Sequence, residues 1–421
     1  MKARHIFILI TTILLIAGVT TGVSQALNAL PAPRTVAQLE NVRAYAVAPD
    51  ATGINYAVDG GVLFAGNPGE WTEIRTPADV VVGTVATDAQ QPERLYMGAA
   101  NGLAIYRTTN QGRDWQRIPL VEEDATMTGG VTSMAVDPVQ NLVYAGTDTA
   151  GLFRLRDVGE SMVLTAHLLT DAPVREVVVD QDGKGFLFAR TDWTVFRGEN
   201  YGLAWMTVDG INSVPTALAI GESAETAAPI VYVGTMDRGV VRSTDGHNWA
   251  TANEGLNFTP GSRLTVDALS VDPAQPDTLY VATSYLYGSS EAHSTPSGVY
   301  MNMGDAVAWN SLGETLPATA AALLPVSGRP GAVYAVTTSS RTPLALGTAP
   351  DTALAVAAES STVAQPAAAN AVNWTAILAW IVAGLAAAAL VFAIATDLRR
   401  SPTPVAGTSS RLRQQPVSSK Q

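Results

Sequence analysis

A short hydrophobic phrase built around an aromatic residue returns seven times along this chain, and its spacing restricts the fold more than any other feature. The phrases are Ile54-Asn55-Tyr56-Ala57-Val58, Arg94-Leu95-Tyr96-Met97-Gly98, Leu142-Val143-Tyr144-Ala145-Gly146, Phe186-Leu187-Phe188-Ala189-Arg190, Ile230-Val231-Tyr232-Val233-Gly234, Thr278-Leu279-Tyr280-Val281-Ala282 and Ala332-Val333-Tyr334-Ala335-Val336. With the aromatics at 56, 96, 144, 188, 232, 280 and 334, the steps are 40, 48, 44, 44, 48 and 54 residues. A repeat of this length with β-type content predicts one four-stranded sheet per repeat, arranged as the blades of a propeller. The expected fold is therefore all-β, a seven-bladed β-propeller over residues 36–347.

A length of 421 residues ordinarily suggests more than one domain. Repeats of this kind share one ring, because no single blade can bury both of its faces. The 36 Gly and 24 Pro, with Val, Thr and Tyr at alternating positions, suit strands and tight turns. There is no cysteine, which excludes disulfides, thiolate metal sites and cysteine nucleophiles.

Charge is unevenly distributed. The chain carries −12, with Lys2 and Arg4 at its start and five basic residues against one acid from Asp397 onward. Removing +2 and +4 leaves −18 on the middle. Phosphate binding needs the opposite sign, so nucleic acid is excluded as a partner.

The two ends point to a membrane. Residues 1–26 read as a signal peptide: Lys2 and Arg4, an apolar stretch from Ile6 to Val19, then Ser24-Gln25-Ala26. An uncleaved anchor is the other reading of this segment. Residues 374–396 read as a transmembrane helix. Trp374 to Ala395 is free of charge over 22 residues, about 33 Å at ~1.5 Å per residue, with Trp374 and Trp380 toward one interface. The basic tail 397–421 follows and is expected in the cytoplasm, which puts the propeller outside the cell membrane in a single-pass protein. Residues 348–372, rich in Ala, Thr, Ser and Pro, read as a linker.

Within a repeat, turn chemistry explains most conspicuous aspartates. Asp137-Pro138 and Asp272-Pro273 begin turns after the first strand. A second phrase follows the third strand: Thr108-Thr109-Asn110-Gln111-Gly112-Arg113-Asp114-Trp115. Gly198-Glu199-Asn200-Tyr201-Gly202-Leu203-Ala204-Trp205 and the shorter Ser243-Thr244-Asp245-Gly246-His247-Asn248-Trp249 are variants, with degenerate copies at 65–71 and 300–309.

These phrases resemble those of the Asp-box, or BNR, propeller families. Those families include sialidases, glucan-cleaving glycosidases, sortilin-type receptors and photosystem II stability/assembly-factor propellers. The resemblance implies that Asn110, Gly112, Trp115, Asn200, Gly202, Trp205, Asp245, Gly246 and Trp249 are scaffold residues, lying away from any functional face. The side-chain oxygen closes a hairpin, Gly supplies a positive φ and Trp packs between blades.

No enzyme signature accompanies the repeats. Sialidases carry an Arg-Ile-Pro phrase ahead of the first box. Here Arg117-Ile118-Pro119 follows a box tryptophan and occupies an ordinary fourth-strand position. The four histidines have no zinc-site spacing, and neither a nucleophile elbow nor a phosphate loop is present, so no cofactor and no metal are expected. The longest irregularity lies between Thr283 and Gly298, where Tyr285, Tyr287, Glu291 and His293 form a candidate binding loop. Asp157 to Asp171 is a second irregular stretch. The expected role is a membrane-anchored extracytoplasmic scaffold that binds a protein partner. The alternative is a cell-surface glycoside hydrolase, sialidase-like or glucan-cleaving.

Overall fold

The computed structural model describes residues 33–40, 42–47, 54–67, 69–122, 127–170, 172–257, 262–288, 293–303, 308–312, 316, 318–326, 329–337 and 344–347, with helical positions 12, 13, 16, 19, 387, 388 and 391. The chain divides into two compact units, residues 33–361 and the combination of 1–32 with 362–421. The expected signal segment, linker, membrane span and tail lie outside the described residues, apart from those isolated helical positions. Among the described residues no helix is long and apolar enough to cross a membrane.

The larger unit is an all-β propeller. Its second to sixth sheets each have four antiparallel strands hydrogen-bonded in chain order. The first sheet has five, because Thr35–Val36 adds outside Glu70–Glu73. The seventh has three strands among the described residues: Ala320–Pro325, Ala332–Thr337 and Leu344–Gly347. The expectation of seven complete blades is thus corrected to six sheets of four or more strands and a three-stranded remainder. The last repeat lacks the box phrase and its tryptophan, which lead into the fourth strand of the second, fourth and fifth sheets, although the third sheet reaches its fourth strand, Met162–Leu168, without them. The first strand of each sheet touches the first strand of the next, and Ala320–Pro325 touches Val42–Val47, closing the ring.

Six of these seven innermost strands carry a register shift near their start, at Val42/Ala44, Val82/Thr84, Val131/Ser133, Pro215/Ala217, Val266/Ala268 and Ala320/Ala322. A bulge adds local right-handed twist, which a blade needs to fan outward from a shared axis.

Hydrophobic cores sit between sheets. One cluster joins Val58 and Leu63 of the first sheet to Leu95 and Tyr106 of the second, and another joins Tyr144 and Leu152 of the third to Val177 and Leu187 of the fourth. The repeated aromatic lies in the second strand and is buried at 56, 96, 144, 188, 232 and 280, while Tyr334 is half-buried. The glycine that ends three of the phrases has a packing cause. A Cβ on Gly98, Gly146 or Gly234 would approach Val131, Val174 or Val266 of the next sheet to 2.5, 2.7 or 2.5 Å.

The stretch between Thr283 and Gly298 is not the loop expected from its length. The second strand of the sixth sheet runs from Gln275 to Tyr287 and the third from His293 to Met303, giving a hairpin that projects past its neighbours. Alternation of Tyr285 and Tyr287 against Thr295 and His293 carries that extension. The irregular stretch from Asp157 is simpler, since Met162–Leu168 forms the outer strand of the third sheet.

Candidate functional site

In an antiparallel sheet consecutive turns lie at opposite ends of the strands, so the ring has two distinct faces. One carries the turns after first and third strands, including all three box phrases. The other carries the turns after second strands.

The box turns are closed by their own side chains. Asn110 Oδ1 accepts the backbone N–H of Arg113 at 3.1 Å and of Asp114 at 3.0 Å, while Thr108 Oγ1 accepts that of Gly112 at 3.0 Å. Asp245 Oδ1 does the same for His247 and Asn248, both at 2.8 Å, and Ser243 Oγ accepts Gly246 N–H at 2.8 Å. The amide of Asn248, then that of His247, holds the Asp245 carboxyl well below the usual carboxylate range. In the middle copy the hydroxyl is missing, and Gly202 N–H bonds to Glu199 O at 3.0 Å instead, with Asn200 at φ 50°.

Each box tryptophan is half-buried and reaches the preceding sheet. Trp115 Nε1 donates to Arg75 O at 2.9 Å, Trp249 meets Phe188 edge-on with centroids 6.3 Å apart, and Trp205 packs on the cluster containing Tyr144. Arg117 is exposed in the strand Gln116–Pro119. His247 lies in its turn beside Arg197.

On this same face the ring opens into a central channel of about 370 Å³. Its walls are the innermost strands of the first six sheets, mostly apolar, with Tyr45, Met134, Val178, Leu218 and Leu269 among them. Aspartates at the turns after these strands bind their own backbone: Asp137 Oδ1 accepts Val139 and Gln140 N–H at 3.0 and 2.9 Å, and Asp272 Oδ1 accepts Ala274 N–H at 2.9 Å. Burial raises both carboxyls against those donations.

The mouth is charged on one side only. Asp180 and Asp182 of the fourth sheet and Glu222 of the fifth line it. Asp180 Oδ2 accepts Lys184 N–H at 2.5 Å, and burial raises this carboxyl above its ordinary value. Lys184 Nζ lies 2.9 Å from Asp182 Oδ2 and 3.7 Å from Glu222 Oε1, and also donates to Ala227 O. Asp182 and Glu222 are hydrogen-bonded to each other. Burial, then that bond, pushes Glu222 up, while the same bond and the Lys184 ammonium hold Asp182 down.

The opposite face presents apolar side chains from three consecutive sheets. Trp193 is 74% exposed on a turn held by Thr191 Oγ1, which accepts the N–H of Trp193 at 3.3 Å and of Thr194 at 3.1 Å. Met236 occupies the equivalent turn of the fifth sheet and Tyr287 ends the second strand of the sixth, and both are exposed. Of the sequence-predicted residues, Tyr287 and His293 are brought together with rings 5.6 Å apart. Tyr285 instead packs on the core cluster containing Leu264 and Trp309, and Glu291 lies outside the described residues.

Asp180, Asp182, Glu222, Trp193 and Met236 escaped the reading of the sequence. One signal was available: Trp193 is the tryptophan within 36–347 that ends no box phrase, complete or degenerate. Among the described residues no group of three or more His, Asp or Glu is placed to hold a metal ion.

No family model matches the chain. A xyloglucanase of Paenibacillus sp is 28% identical over 189 residues, which is 41% of this chain and 16% of that protein. Among solved structures, the GH74 xyloglucanase from Xanthomonas campestris superposes with a TM-score of 0.55 at 17% identity, over 74% of this chain and 54% of that one. The GH74 enzyme of Niastella koreensis gives 0.53 at 16% identity over 72% and 52%. U3-55K gives 0.53 at 12% identity over 73% and 95%. The chain thus spans about half the length of these two glycosidases and far less of the curated relative. At such identities the likeness shows a shared β-propeller fold, in proteins of different kinds.

Proposed function

We propose that this chain is a binding propeller, anchored by residues 374–396 outside the membrane, and that it docks a protein partner on the face carrying Trp193, Met236 and Tyr287. The observation that supports this most is the exposed indole of Trp193 on a hydrogen-bonded turn. A large apolar side chain presented by a rigid frame costs exposure when free and little ordering entropy when bound, which is why aromatics and Met anchor interfaces. The −18 charge of the middle favours a partner with a basic contact segment, and such binding weakens as salt screens it.

The test is crosslinking of the tagged full-length protein in its native membranes, beside a Trp193→Ala/Met236→Ala/Tyr287→Ala variant. A stoichiometric partner lost in the variant, at unchanged melting temperature, is the expected outcome. A partner retained in full by the variant would move the docking surface elsewhere.

A glycoside hydrolase is the second reading, favoured by the similarity to the Paenibacillus xyloglucanase. Its two carboxyls should stand at least ~5 Å apart to flank a glycosidic bond. Asp182 and Glu222 are bonded to each other, so that pair does not supply them. Release of reducing sugar from xyloglucan by the purified chain would restore this reading.

A further inference from the structure

The central channel has the size and chemistry of a ligand site, independent of the Trp193 face. Its volume of about 370 Å³ falls within the ~300–1,000 Å³ typical of small-molecule pockets. Its walls are largely aliphatic, while three carboxyls and one ammonium gather where the fourth and fifth sheets meet.

These carboxyls differ in how far they are satisfied. Asp182 and Glu222 share a hydrogen bond, and Lys184 contacts both. Asp137 uses one oxygen for two backbone donors at a turn outside the channel lining. Asp180 lines the channel, is only 5% exposed, and its Oδ1 is buried without a hydrogen-bond partner. An unpaired carboxylate oxygen withdrawn from water is costly, and a donor that arrives with positive charge relieves that cost best.

The sign of the mouth disfavours an anion. A metal ion is disfavoured by geometry, because Lys184 contacts both Asp182 and Glu222 and, among the described residues, no group of three ligands includes Asp180. What remains is an organic cation with an apolar body. We propose that the channel mouth binds a primary ammonium or guanidinium group on an aliphatic stem, the head on Asp180 and the stem along Val178, Leu218 and Ile220. Such a group arrives either as a free amine or as a Lys or Arg side chain of a peptide.

The full-length protein is titrated calorimetrically with hexylammonium, hexylguanidinium, hexanol and an acetylated Gly-Gly-Arg-Gly-Gly amide. The cations should bind and hexanol should not. Asp180→Asn should weaken the cations about tenfold or more, the range of a charge-assisted hydrogen bond. Should Asp180→Asn not fold, Glu222→Gln replaces a mouth carboxyl at the half-buried end of the strand Pro215–Glu222 and should also weaken them. Binding of the alkyl cations without the peptide assigns a free amine, and binding of the peptide assigns a side chain. Equal binding of hexanol, unchanged affinity in the variants, or no binding by any cation would each overturn the proposal. Neither outcome depends on the Trp193 variant, so the two sites fail separately.

Discussion

Tyr96 donates its phenolic hydrogen to Asp157 Oδ2 at 2.7 Å, from the second strand of one sheet to the third strand of the next. Arg107, which faces Tyr96 across the strand pair, places Nε 2.7 Å from the same oxygen, and Arg94 lies 3.5 Å away and 3.3 Å from Asp88. All five side chains are buried. Burial, then the bond to Asp157, raises the Tyr96 hydroxyl well above its ordinary range.

Removing Asp157 would leave the buried Arg107 guanidinium without its counter-charge and Arg94 with Asp88 alone. Asp157→Ala is therefore expected to cost about 3–5 kcal/mol, and Tyr96→Phe about 1–2 kcal/mol, since the latter leaves Asp157 its arginines. Denaturant unfolding of the full chain decides this. Equal losses for the two variants would show that the ion pairs contribute nothing beyond the tyrosine bond.

The box turns give a prediction about shape. Gly112 has φ 84°, and a Cβ there would lie 2.4 Å from Ile74 Cγ2 of the preceding sheet, whereas one on Gly60, at φ 58°, meets nothing within 4 Å. Gly60→Ala should cost about 1 kcal/mol for the left-handed backbone alone. Gly112→Ala adds overpacking against a neighbouring sheet and should cost about 2–4 kcal/mol. Similar melting shifts would mean that Ile74 yields, and that the turn does not clamp the two sheets.

Tryptophan truncation should follow burial. Trp71 is fully buried and meets Tyr45 edge-on at 6.0 Å, so Trp71→Ala should cost about 3–5 kcal/mol. Trp115 and Trp249 are half-buried and should fall near the lower end of that range. A larger loss at Trp115 than at Trp71 would assign most of its contribution to the bond with Arg75 O.

How much of this was visible beforehand depends on whether the information is local. The aromatic at Tyr96 or Tyr144 marks a second strand through its apolar neighbours, and the Asn110 and Asp245 turns follow from side chains that bond within five residues. Arg107 was not legible as a buried group. Its position in an alternating strand looks like any solvent-facing one, and its partner Asp157 is 50 residues away. The same applies to Asp182 and Glu222, joined only because adjacent sheets bring their first turns together. The hairpin at Tyr285–His293 was misread because length suggested a loop, although its period-2 pattern continues the strands. The three-stranded remainder was not legible from the box phrase, which is absent after Tyr334 but absent after Tyr144 too, where a fourth strand forms.

Asp267 supplies a pH dependence whose sign is fixed by burial. It occupies the bulge of the sixth innermost strand, between Val266 and Ala268, and its Oδ2 accepts the buried Ser284 hydroxyl at 2.5 Å. Burial pushes its pKa up to about 6 from an ordinary 3.8, and the single serine bond offsets only part of that. The folded state therefore holds a proton that the unfolded chain releases near pH 4. Stability from this group is complete below pH 4 and lost as pH rises through 6, by about 1–3 kcal/mol once residual solvent screening is allowed for. Asp267→Asn keeps an acceptor for Ser284 and cannot ionise. It should match the wild-type chain near pH 4 and exceed it at pH 7.5. Unfolding midpoints at the two values, compared between the two proteins, measure this directly. A difference that stays constant with pH, or that favours the wild type at pH 7.5, would show that Asp267 is charged in the folded propeller.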